Sequence, residues 1–177
     1  MNNLKIAVCG ASGKMGRALI GIIRDGEALE LSGALEVPGN PYLGKDAGAL
    51  LGFEAGVSIS SDIATIIDGA DVLIDFTRPD GTLRHLEACV SHKTAMVIGT
   101  TGFSDQEKAA IKQAAETIPI MMAPNMSVGV NVLLRLLKTA AQALDEGYDI
   151  EIVEAHHKHK VDAPSGTALR MGEVIAE

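Results

Sequence analysis

Short apolar runs alternate with helical segments over the first two-thirds of this 177-residue chain, and that alternation limits the folds open to it. Residues 4–9, 29–36, 71–76, 94–98 and 118–123 read as strands, with a short further strand at 57–59 inside a Gly/Pro-rich loop over 37–61. Between them the apolar spacing turns helical, at 17–24, 62–67, 79–90 and 104–117. Ser61 or Asp62 caps the second of these helices, Pro79 opens the third, and Ser104 with Glu107 three residues on forms a capping box for the fourth. Uninterrupted apolar strands alternating with helices are the pattern of a parallel sheet covered on both faces. Residues 1–126 therefore read as one doubly wound α/β domain.

Beyond residue 126 the pattern changes. A long apolar helix is expected at 128–144, a strand at 149–157, a polar loop at 158–164 and a helix at 165–176. One strand and two helices cannot bury their own apolar faces. Either they pack on the first domain and on partner subunits, or residues 127–177 begin an α+β domain that continues. The helical pattern running to the last residue favours the second option.

Composition removes several functions. The formal charge is −8 and aromatic residues make up 3%, so neither the basic face nor the stacking platform of a general nucleic-acid binder is present. Hydrophobic residues at 47% provide for a globular core. No apolar run approaches the length of a membrane span, and the one at 118–123 contains Pro119 and ends at Pro124. Residues 4–8 are too short for a signal-peptide core. Cys9 and Cys89 form neither a disulfide framework nor a CxxC pair and read as buried free thiols, which suits a cytoplasmic location.

The first strand closes on Gly10-Ala11-Ser12-Gly13-Lys14-Met15-Gly16, directly before a helix. This is a relaxed form of the GxGxxG fingerprint, with Ser12 where the middle glycine would stand. Glycine there lets the chain turn tightly and brings a pyrophosphate to the helix N-terminus. Glu36, at the end of the second strand, is placed to bind ribose hydroxyls. The following residue is Val37 rather than a cation, which leans toward NADH over NADPH. Three further loops fall at the carboxyl ends of strands: 75–78, Gly99-Thr100-Thr101-Gly102, and Ala123-Pro124-Asn125-Met126. That edge is where open α/β sheets bind ligands, so these loops are assigned to the nicotinamide ribose and ring.

The segment from Glu154 to Thr167 concentrates His156, His157, His159 and Lys160 and ends in Pro-Ser-Gly-Thr at a helix start. Histidine ligands for a metal are the less favoured reading, because neighbouring strand residues point to opposite faces and no cysteine lies near. An anion pocket with proton donors fits better. The cations supply positive charge, the amides of Gly166 and Thr167 suit a carboxylate, and a His or Lys can deliver a proton.

Taken together, the Gly10–Gly16 turn, Asp75-Phe-Thr-Arg-Pro79, Gly99–Gly102, Asn125-Met-Ser-Val-Gly-Val-Asn131 and Glu154-Ala-His-His-Lys-His-Lys-Val-Asp-Ala-Pro-Ser-Gly-Thr-Ala168 closely resemble the bacterial dihydrodipicolinate reductase family, also called 4-hydroxy-tetrahydrodipicolinate reductase. The resemblance runs along the whole chain. It implies an NADH- or NADPH-dependent oxidoreductase of the diaminopimelate route to lysine, reducing dihydrodipicolinate to tetrahydrodipicolinate. It implies that Gly10, Ala11, Ser12, Gly13, Lys14, Met15 and Glu36 hold the adenosine and pyrophosphate. Gly99, Thr100, Thr101, Ala123, Pro124, Asn125 and Met126 would lie on the nicotinamide side. His156 and Lys160 would be the acid groups, and His157, Gly166 and Thr167 the contacts to the substrate carboxylates. It implies no metal, a small dicarboxylate substrate, and a homotetramer in the longer full-length members. On this reading residues 1–177 are an N-terminal portion that binds cofactor but turns over poorly. Val37 stands where some relatives carry Arg, and Met126 replaces an aromatic residue. Two alternatives have different requirements: another two-domain NAD(P)-dependent dehydrogenase needs a nucleophilic Cys or a different acid–base set, and a dinucleotide-sensing module keeps the glycine turn but does not need His156–Thr167.

Overall fold

A computed structural model describes residues 3–144, 147–158, 160 and 163–177. The chain divides into two compact units, Met1–Met122 and Ala123–Glu177. The first carries six strands: β1 (Leu4–Cys9), β2 (Leu29–Leu35), β3 (Ile59–Ser60), β4 (Val72–Asp75), β5 (Ala95–Ile98) and β6 (Ile120–Met122). They form one sheet in the order β3-β2-β1-β4-β5-β6, and every pair in it is parallel. This is the Rossmann-like strand order, whose reversal of direction beside β1 opens a crevice at the carboxyl ends of the strands.

Alternation along β1 shows how the sheet is clothed. Ile6 and Val8 join one buried cluster with Ile20, Ile23 and Ala34, while Ala7 and Cys9 join another with Ile66, Leu73, Leu86, Met96 and Ile111. Helix α1 (Lys14–Asp25) supplies the first cluster. Helices α2 (Ile63–Ile67), α3 (Pro79–His92) and α4 (Asp105–Ala114) supply the second. The caps follow the local chemistry. Asp62 caps α2 by accepting from the Ala64 amide, Pro79 opens α3, and Ser104 and Glu107 form both halves of the capping box on α4. The expectation of a buried last strand holds only at its start. Ile118 is buried, whereas Met121 and Met122 are 56% and 41% exposed. The physical reason is position: β6 is an edge strand, paired to β5 alone.

The second unit holds α5 (Val128–Ala143) and α6 (Gly166–Ala176), which pack on each other. Lys138 of α5 pairs with Glu177 at 3.0 Å, and Arg170 of α6 reaches Glu173 and Glu177. The expected strand over 149–157 is not formed. The described residues of that segment carry no ladder pairing, and a lone apolar stretch without a neighbouring strand cannot satisfy its backbone as sheet. Its apolar residues Ile150, Ile152 and Val153 are exposed, as are Val132, Leu133 and Leu136 of α5. Among the described residues, no helix is long and apolar enough to cross a membrane.

Candidate functional site

The site in the first unit is built on the carboxyl edge of the sheet. Beyond β1 the chain turns at Gly10, whose φ of 68° lies in the left-handed region that favours glycine. The turn is closed by the Gly13 amide donating to the Gly10 carbonyl at 2.9 Å and tied to β2 by the Ala11 amide donating to the Leu35 carbonyl. A Cβ at Gly16 would sit 2.1 Å from the Gly10 carbonyl oxygen, so helix and turn meet more closely than any side chain permits. The N-cap of α1 is Gly13, with no side-chain cap bond and no acidic residue in the first turn. The start of α1, with no side-chain cap and no acidic residue of its own first turn, fits a pyrophosphate.

Glu36 reaches back to the same turn. Its Oε1 accepts from the Ser12 amide at 2.9 Å and the Ser12 hydroxyl at 2.6 Å, and its Oε2 accepts from the Val37 amide at 3.2 Å. Asn40 Nδ2 donates to the Ser12 hydroxyl at 3.3 Å. The predicted ribose ligand and the predicted pyrophosphate loop are therefore side by side. Asn40 was not singled out from the sequence, because nothing in a Gly/Pro-rich loop marks which amide folds back. Val37 is 64% exposed beside the carboxylate.

At the ends of β4 and β5 the polar groups turn inward. Asp75 is fully buried. Its Oδ1 accepts from the Thr77 amide at 2.8 Å and the Thr77 hydroxyl at 2.7 Å, and the Thr100 hydroxyl lies at 3.5 Å. His85 Nδ1 meets Asp75 Oδ2 at 2.6 Å, and the Thr82 hydroxyl donates to Thr100 Oγ1 at 2.9 Å. Thr100, expected on the nicotinamide side, thus keeps its hydroxyl in this buried network, while Thr101 and Gly102 are exposed. Gly99 is needed for a different reason: a Cβ there would lie 1.9 Å from the Phe76 ring. Cys9, Asp75 and His85 bring one ligand atom each within 4.8 Å of one another, a group that could in principle hold a metal. The chemistry argues otherwise. Burial first, and then the Asp75 charge, push the Cys9 thiol well above its usual value, and the short His85–Asp75 contact occupies the other two donors.

In the second unit, Ala123, Pro124, Asn125 and Thr167 line one cleft with Val130, Asn131, Leu134 and Arg170. Asn125 accepts from the Ser127 amide at 2.9 Å, and Asn131 Nδ2 donates to the carbonyls of Asn125 and Ser127. Asn125 Nδ2 in turn faces Thr167 Oγ1 at 3.5 Å. Residues assigned from the sequence to cofactor and to substrate are therefore neighbours here, although 42 positions apart. Gly166 and Thr167 open α6, capped by Ser165, whose hydroxyl accepts from the Ala168 amide at 3.1 Å. The Ser165 amide donates to Glu154 Oε1 at 2.8 Å. Glu154 Oε2 stands 3.4 Å from His156 Nδ1. Hydrogen bonds from Ser165, then the positive charge of His156 and Lys160, hold the Glu154 carboxyl below its ordinary value. His156 and His157 are exposed and Lys160 is half-buried, with its amide donating to the His157 carbonyl at 3.1 Å. His159 lies outside the described residues. Glu154 carried no role in the sequence reading, although its place two residues before His156 was a signal for a partner. Met126 lies in the turn before α5.

The comparisons with known proteins match these parts of the chain. A family model described as dihydrodipicolinate reductase, N-terminus, matches residues 4–126, and one described as dihydrodipicolinate reductase, C-terminus, matches residues 129–177. The chain belongs to the dihydrodipicolinate reductase family. The 4-hydroxy-tetrahydrodipicolinate reductase of Nitrosomonas europaea is 62% identical over 177 residues, which is 100% of this chain and 66% of that protein. That of Nitrosospira multiformis is 59% identical over the same span. The chain thus spans just under two-thirds of the length of these curated relatives. Among solved structures, a dipicolinate-bound dihydrodipicolinate reductase from Paenisporosarcina sp. TG-14 superposes with a TM-score of 0.74 at 30% identity, over 98% of this chain and 66% of that one. Family membership accounts for the Rossmann-like strand order.

Proposed function

We propose that this chain carries the dinucleotide-binding and substrate-binding parts of a 4-hydroxy-tetrahydrodipicolinate reductase, an NAD(P)H-dependent oxidoreductase of lysine biosynthesis. The observation that carries the reading is the family match along the whole chain, from the glycine turn to the His/Lys segment. Gly10–Met15 hold the pyrophosphate through the uncapped start of α1, and Glu36 binds the adenosine ribose diol. Gly99, Thr100, Thr101 and Ala123–Met126 border the nicotinamide. A reduced nicotinamide bound there supplies a hydride to C4 of the conjugated cyclic imine. The protein's own groups do the rest. His157, Gly166 and Thr167 hold the substrate carboxylates, and His156 and Lys160 deliver the proton that completes the reduction. Glu154 helps keep His156 in place, its carboxylate standing 3.4 Å from Nδ1. The dipicolinate in the Paenisporosarcina relative supports a small dicarboxylate substrate.

NADH is the preferred donor. A 2′-phosphate would meet the Glu36 carboxylate, and Val37 offers no compensating cation. The whole protein acts in the cytoplasm as a homotetramer, with neither nucleic acid nor membrane as a partner. The test is a nicotinamide-absorbance assay on the full-length protein with freshly prepared dihydrodipicolinate. His156→Ala and Lys160→Ala should each lose at least about a hundredfold in kcat. Equal rates in wild type and both variants would remove the acid assignment, and no turnover in wild type would remove the function.

A further inference from the structure

The buried network under the glycine edge contains a residue that the reductase reading leaves unassigned. His85 sits on the inward stripe of α3 with Thr82, Leu86 and Cys89, and its side chain is 14% exposed. Its Nδ1 meets Asp75 Oδ2 at 2.6 Å, short enough for a charge-assisted bond. The other carboxylate oxygen organises two loops at once, through the amide and hydroxyl of Thr77 and the hydroxyl of Thr100. Thr82, one turn before His85, donates to the same Thr100 hydroxyl. Thr77 also closes on the first turn: a Cβ at Gly10 would lie 3.3 Å from its methyl group. A single buried carboxylate therefore joins the loops after β4 and β5 to α3, and Thr77 carries the contact on to the loop after β1.

We propose that His85 is a positioning residue for the dinucleotide, acting through Asp75 to hold the loops of Thr77 and Thr100 where the nicotinamide half binds. The proposal rests on the reductase reading only in assigning those loops to the nicotinamide side. A buried carboxylate has four acceptor sites and fixes its rotamer only when they are filled. The two threonine hydroxyls can rotate, so the plane of the carboxylate is set by the Thr77 amide on Oδ1 and by the half-buried imidazole of His85 on Oδ2. His85 is the partner that holds the second oxygen, and the carboxylate in turn holds Thr77. Without the imidazole, Asp75 Oδ2 loses its buried partner, and the carboxylate that ties Thr77 and Thr100 together is free to shift, carrying both loops from their places.

The experiment measures the affinity of the full-length protein for NADH and for ADP, by nicotinamide fluorescence and by calorimetry. His85→Leu should weaken NADH on the order of tenfold, the share of a charge-assisted bond expected to reach the loops, and weaken ADP clearly less, since only the Thr77 methyl reaches the glycine turn. ADP reports the glycine turn and Glu36 alone. His85→Asn, whose amide nitrogen can occupy the place of Nδ1, should recover most of the loss. His85→Gln carries its donor past that place and should behave like His85→Leu, which serves if the leucine variant does not fold. Unchanged NADH affinity in both variants overturns the proposal. So does an equal loss of NADH and ADP, which would mark general loosening rather than positioning. Wild-type protein that binds ADP but not NADH would overturn the reductase reading as well, a result distinct from either.

Discussion

Replacing Gly16 by alanine tests the close approach of α1 to the turn before it. An added Cβ would lie 2.1 Å from the Gly10 carbonyl oxygen and 2.8 Å from both Ala11 Cα and the Gly10 carbonyl carbon. Carbon and oxygen ordinarily meet no closer than about 3.3 Å, so the methyl intrudes by roughly 1.2 Å. All three neighbours are backbone, and relief requires the turn itself to open. Overpacking of this kind costs about 1–3 kcal/mol. Alanine returns up to about 1 kcal/mol of helix propensity. With backbone as the obstacle the upper end of the range applies, and the net loss is about 2 kcal/mol, some thirtyfold in the folding equilibrium. Gly21 is the internal control. It lies in the same helix with nothing within 4 Å of an added Cβ, so Gly21→Ala should stabilise by about 0.5–1 kcal/mol. Urea unfolding followed by circular dichroism reads both: the midpoint should fall by about 1 M for Gly16→Ala and rise for Gly21→Ala. The opened turn should also cost Gly16→Ala its dinucleotide affinity, with Gly21→Ala binding like wild type. A Gly16→Ala midpoint at or above that of wild type would refute the reasoning.

The other predictions concern single contacts. Gly99→Ala forces the Phe76 ring away from a Cβ it would meet at 1.9 Å, and thermal melting should record a loss of about 1–3 kcal/mol. Ser104→Ala removes the hydroxyl that accepts from the Glu107 amide at 3.3 Å and breaks the capping box, for a loss of about 1 kcal/mol in urea titration. Glu154 makes stability depend on pH with a definite sign. Its carboxyl is held below the ordinary value in the folded chain, so its contribution is present above the unfolded carboxylate value near about 4.3 and is lost as pH falls through the folded value. Melts of wild type and Glu154→Gln should therefore differ at pH 7 and draw together as pH is lowered below the ordinary carboxylate range; a difference that stays constant with pH would remove Glu154 from the account.

Much of the first unit could be read in advance because its signals are local. An apolar run ending on glycine, a Ser–Glu pair three apart and a proline at a helix start each act within a few residues. β1, β4 and β5 follow from such runs, and the helix caps at Asp62 and Ser104 from such pairs. What escaped depends on distant partners. His85 is one more helical residue until Asp75, ten positions earlier and at the end of a buried strand, is brought against it. Asn40 gains meaning only from Ser12, across 28 positions. The segment over 149–157 has the composition of a strand, yet composition supplies no ladder partner, and its described residues join no sheet. Helix α1 starts three residues ahead of its apolar spacing, because Lys14 and Met15 of the glycine turn already have helical backbone.

The strand order has a consequence for how the chain is made. β1 lies at the centre of the sheet, and its two neighbours arrive at different times. β2 pairs with it from Leu29 onward, but β4 contributes only when Val72 meets Ile6, 66 residues later. A ribosome adding about 5–20 residues per second needs roughly 3–13 s to cover that interval. Throughout it the second edge of β1 stays open, with the apolar Ile6–Cys9 stretch bare, and a chaperone has its clearest target there. Nascent chains arrested before residue 72 should be protease-sensitive in β1, and chains arrested far enough on for β4 to clear the exit tunnel should be protected.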